Sequence, residues 1–162
     1  MRFSYASGIN RLPYWAEALL DDICVKSCVR GAVLSSTTRS PETQARVMWE
    51  NLMLTGGVDR QLQLYKQPGR EVIAVFIQQV KAGANRGATI TAMAAKIREI
   101  GPASVSAHCN DDPMRAVCDV APLSIDPDRQ REFKSVASKH VGVVKVLAPP
   151  LDPAIHIEMR YV

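Results

Sequence analysis

Aromatic residues make up only 6% of the chain. Lys and Arg are scattered and never run five together. A basic, aromatic-studded platform for nucleic acid therefore has no support, and no nucleic-acid partner is expected. Long apolar runs are missing too: nothing approaches the roughly 18 to 20 residues needed to cross a bilayer, so stable membrane insertion is not expected. The start, Met1-Arg2-Phe3-Ser4-Tyr5, has no basic region followed by an apolar stretch. The expectation is a chain made in the cytoplasm without a secretory signal. Repeats, low-complexity tracts and linkers are also missing, so one domain over residues 1–162 and a monomer are expected.

What is present fits a globular domain. The 162 residues are 47% apolar and 22% charged, enough for a real core and too apolar for disorder. A formal charge of +4 favours acidic surfaces such as nucleic acid, anionic lipid or an anionic cell wall, without choosing among them. Four cysteines stand at 24, 28, 109 and 118, and neither pair has the spacing of a zinc knuckle. In a reducing compartment they read as free, mostly buried thiols. A cross-strand disulfide between Cys109 and Cys118 is the alternative.

Periodicity places the elements. Pro13 opens a helix through about Cys24, and residues 31–36 read as a buried strand. Ser40-Pro41 is a helix start with an apolar stripe of Ala45, Met48, Trp49, Leu52 and Met53, ended by Gly56-Gly57. Helices follow near 59–65, 70–81 and 89–99, the last stopped by Gly101-Pro102. The period then changes. Segments 103–109, 116–121, 142–148 and 154–161 read as strands, with a helix at 127–139 entered through Asp126-Pro127. Helices first and strands later predict an α+β fold, an antiparallel sheet packed against several helices.

Chemistry concentrates in the last third. Of three histidines, His108 and His156 fall in expected strands with carboxylates nearby: Asp111, Asp112 and Asp119, then Asp152 and Glu158. Two imidazoles and one carboxylate make a catalytic zinc set that leaves one position for water, and a further carboxylate would serve as general base. If Asn110-Asp111-Asp112-Pro113 folds a hairpin, His108 and Asp119 share one face, and Cys109 and Cys118 point to the other. His140 fits a helix C-terminus, where its side chain complements the helix dipole.

Thr37-Thr38-Arg39-Ser40-Pro41-Glu42-Thr43-Gln44-Ala45 resembles the strand-to-helix segment of the zinc D-alanyl-D-alanine carboxypeptidases and the phage L-alanyl-D-glutamate endopeptidases, of the hedgehog-type peptidase fold. Ser106-Ala107-His108, then Asp119, then His156 in an Ile-His-Ile strand repeat that family's order of Ser-x-His, Asp and His. The resemblance implies that His108, Asp119 and His156 hold Zn2+, that Arg39 steadies charge on the substrate carbonyl, that Ser106 binds substrate, and that Asp152 is the base. It also implies a peptidoglycan stem peptide as substrate and an enzyme of phage or prophage lysis acting at the cell wall. The sequence departs from the pattern in two places. Ten residues rather than about six separate His108 from Asp119, which makes Asp112 a competing ligand. Asp152 stands four residues before His156 rather than three, which makes Glu158 a rival base. A non-catalytic zinc-binding relative that serves as a wall-binding or virion structural module is the second expectation.

Overall fold

The computed structural model describes residues 1–162, which divide into two compact units: residues 1–38 with 111–162, and residues 39–110. The first unit holds five strands and two helices. They are β1 (Phe3–Tyr5), α1 (Tyr14–Lys26), β2 (Ala32–Ser36), β3 (Arg115–Val120), α7 (Pro127–Lys139), β4 (Val143–Leu147) and β5 (Ile155–Arg160). The second unit is helical: α2 (Pro41–Leu52), α3 (Gly57–Leu64), α4 (Gln67–Lys81), α5 (Arg86–Ile100), the four-residue α6 (Pro102–Val105) and a 3-10 turn at Ala107–Cys109.

In the first unit the strand order is β1-β2-β3-β5-β4. The fold is α+β as expected, but the sheet is mixed: β1 runs parallel to β2, and the other pairs are antiparallel. Three-residue β1 is too short to leave a periodic trace in sequence. Alternation along the central strands sorts side chains by face. Ala116, Cys118 and Val120 on β3, with Ile155, Ile157 and Met159 on β5, join Leu20, Ile23 and Phe133 of α1 and α7 in one buried core. Each large side chain fully buried there contributes about 1.5–3 kcal/mol. The residues between them, Asp119 on β3 and His156 and Glu158 on β5, belong to the opposite face.

Local signals fix the helices of the second unit. The Ser40 hydroxyl accepts the Thr43 N–H at 3.2 Å, and Pro41 takes the first helical position of α2. The Asn85 side chain does the same for α5, accepting the Ala88 N–H at 2.9 Å. Met48, Val72, Ile73, Phe76, Met93 and Ile97 fill a core of their own among α2, α4 and α5. Met48 of the expected stripe is buried; Met53 is exposed.

One expected strand does not form. Residues 103–109 make α6 and the 3-10 turn, so no hairpin joins them to β3, and β3 pairs instead with β2 and β5. Gly101, at φ 98°, ends α5, and Pro102 at once begins a new helix.

Candidate metal centre

Asp119 and His156 are direct cross-strand partners in the β3–β5 register, so the pleat sets their side chains side by side on one face. His156 Nδ1 lies 2.9 Å from Asp119 Oδ1, and its Nε2 lies 3.3 Å from Glu158 Oε1. Lys145 Nζ, on β4, is 3.5 Å from the same Glu158 oxygen. His156 is only 7% exposed. That burial disfavours the charged imidazole, but the Asp119 and Glu158 carboxylates outweigh it and raise the pKa above its ordinary value.

The second unit supplies His108, 6% exposed, on the 3-10 turn rather than on a strand. The Ser106 hydroxyl caps that turn by accepting the His108 N–H at 3.3 Å. The His108 carbonyl in turn accepts the Arg39 N–H at 2.6 Å, which ties the segment before α2 to the turn. Arg39 Nη1 donates to Gln44 Oε1 at 3.1 Å, and Gln44 Nε2 donates to the Tyr65 hydroxyl at 3.1 Å.

His108, Asp119 and His156 form a group that could hold a metal ion, each offering one ligand atom. The donor chemistry suits zinc, which takes imidazole nitrogen and carboxylate oxygen at about 2.0–2.2 Å in tetrahedral sites. Two ligand atoms at those lengths in a tetrahedral site stand about 3.3–3.6 Å apart. His156 Nδ1 and Asp119 Oδ1 at 2.9 Å are in hydrogen-bond contact, and the ligand atoms of all three residues lie within 4.8 Å of one another, so a metal would take the place of that bond. With Nδ1 turned toward a metal, Nε2–H points to Glu158, the arrangement in which a carboxylate fixes the ring and tautomer of a metal-binding histidine.

The other carboxylates have local duties. Asp152, in the turn before β5, accepts the Ala154 N–H at 2.9 Å. Exposed Asp112 accepts the Met114 N–H at 2.9 Å, which is turn chemistry. His140 ends α7, where Nδ1 accepts the Gly142 N–H at 3.1 Å and Nε2 stands 3.1 Å from Asp22 Oδ2. An N–H can only donate, so Nδ1 is bare and Nε2 carries the proton toward Asp22.

All four cysteines are free; Cys24, Cys109 and Cys118 are buried and Cys28 is exposed. Burial pushes the Cys24 and Cys109 thiols up to about 11, so they stay protonated and inert near neutral pH. Sequence reasoning passed over Tyr65 and gave Gln44 no role. Gln44 stands inside the quoted motif, whereas nothing in the sequence around Tyr65 marks it. No protein-family model, curated protein or solved structure matches the chain.

Proposed function

We propose that the chain is a zinc peptidase that hydrolyses a peptide bond in peptidoglycan stem peptides, with His108, Asp119 and His156 holding the metal. The observation that supports the reading most is the donor set His108, Asp119 and His156, whose ligand atoms lie within 4.8 Å of one another, with Asp119 and His156 in register on adjacent strands. Zinc bound there would polarise the scissile carbonyl and make a water acidic enough to attack it. Arg39, joined through its backbone to His108, would place a guanidinium beside the negative charge that grows on the carbonyl oxygen. Asp152 would take the proton of the attacking water and pass it to the leaving amine. Ser106 would bind substrate beside His108, and Glu158 would hold the His156 ring. A basic chain suits an anionic wall, where a phage or prophage lysis enzyme acts.

The non-catalytic zinc-binding module is kept as a second reading because the Asp152 carboxylate already serves the Ala154 N–H. The test is mass spectrometry of fragments released from purified peptidoglycan by the zinc-loaded chain, with His156→Ala as control and Asp152→Ala and Glu158→Gln as variants. New fragments lost in His156→Ala and Asp152→Ala, but reduced only partly in Glu158→Gln, are expected. Full zinc stoichiometry in His108→Ala or His156→Ala would sink the ligand assignment. Zinc binding without fragments, across several wall chemistries, would leave the module.

A further inference from the structure

Within the helical unit a polar chain runs from Tyr65, at the end of α3, through Gln44 on α2 to the Arg39 guanidinium. We infer that Tyr65 and Gln44 are positioning residues that fix the orientation of Arg39 for charge stabilisation on the substrate. The inference deepens the peptidase reading and rests on it for the use Arg39 is put to.

The direction of the chain follows from donor chemistry. Arginine can only donate, so the Gln44 amide must turn its oxygen to Arg39, which leaves its NH2 for the Tyr65 oxygen. Gln44 is 1% exposed, so a lost partner there is not replaced by water, and the amide cannot turn over without breaking both bonds. Arg39 thereby selects which end of Gln44 faces it, and the Tyr65 hydroxyl, by accepting from the NH2, holds the amide in that orientation.

Tyr65 itself is held from two sides. Arg70 Nε donates to the carbonyls of Leu62 at 3.0 Å and Tyr65 at 2.9 Å, pinning the backbone between α3 and α4. The ring lies directly on Gly69, where a Cβ would stand 2.2 Å from the Tyr65 Cδ1. Burial raises the phenol pKa, so the oxygen stays neutral near physiological pH. A rigid seat, a one-way amide and a backbone tie from Arg39 to His108 together orient one guanidinium.

The test compares Tyr65→Phe and Gln44→Met with the wild type by two measurements. Nitrogen-15 NMR of the Arg39 side chain, assigned with Arg39→Lys, reads guanidinium rotation without any need for turnover. Kinetics on an isolated muropeptide, at confirmed full zinc loading, read the catalytic use. Expected is faster Arg39 rotation in both variants, with kcat reduced about 10- to 100-fold and KM within about twofold. An Arg39 as rigid in Tyr65→Phe as in the wild type would overturn the inference whatever the activity. So would loosened rotation with wild-type kcat, because the orientation would then serve nothing in the reaction. Loosened rotation in a chain whose wild type shows no turnover would overturn the peptidase reading and uphold the Tyr65–Gln44–Arg39 coupling itself.

Discussion

Tyr5 shows how one hydroxyl ties an edge strand to the helix that follows. Its O–H donates to Glu17 Oε1 at 2.7 Å while its oxygen accepts the Leu12 N–H at 3.1 Å. Burial, aided by the Glu17 charge and opposed by the Leu12 N–H, pushes the phenol up to about 12. The sign follows: a folded pKa above the unfolded value of about 10 means stability intact below pH 10 and lost as pH rises toward 12. In absorbance titration at 295 nm, the component missing from Tyr5→Phe should titrate near pH 12. A missing component near pH 10 would contradict the assignment. At the same scale the candidate site was half legible. His108, Asp119 and His156 could be picked out by residue type and order, since a metal ion accepts few kinds of side-chain donor. The partnership of His156 with Glu158, and that of Gln44 with Tyr65, depends on side-chain placement. The second joins residues 21 apart by a single hydrogen bond, which leaves no local pattern.

Glycine distinguishes the helix starts. A Cβ on Gly57 would lie 2.3 Å from the Asn51 carbonyl oxygen, where the chain turns from α2 into α3. That obstacle is backbone and cannot rotate away. Gly87, in the first turn of α5, would meet nothing closer than 3.5 Å. Gly57→Ala should therefore destabilise by about 1–3 kcal/mol. Gly87→Ala should stabilise by about 0.5–1 kcal/mol, through the better helix propensity of alanine. Thermal or urea unfolding of the two variants checks both, and a shared sign would refute the distinction. Elements with strong punctuation were readable in advance: Ser40-Pro41 and Asp126-Pro127 begin α2 and α7 where expected. Residues 103–109 were misread because Gly101-Pro102 serves as a stop and a start together, and one helical turn is too short for a 3.6-residue period to show. Parallel pairing of β1 with β2 is a long-range choice that no local pattern encodes.

Neither hydrophobic core contains His108, Asp119 or His156, so the bulk of the folding energy is independent of a metal. Chelation of the zinc-loaded chain should lower Tm by the lost binding energy, about 2.7 kcal/mol for metal held at 100 times its Kd, while unfolding stays cooperative. Calorimetry with and without chelator decides: an unmoved Tm would argue against zinc, and loss of all folded structure would show that the cores do not suffice. The hydrogen bond from the Arg39 N–H to the His108 carbonyl has a consequence for how such a chain diversifies. It brings the first residue of the helical unit against the turn that closes it, so residues 39–110 form a cassette with joined ends. Lengthening or exchanging the helices inside that cassette changes its closure entropy only logarithmically. Insertions at the turn between α4 and α5, residues 82–85, should therefore be tolerated, whereas exchange of the whole cassette would take Arg39 and His108 with it and leave only the Asp119–His156 pair on the strands outside.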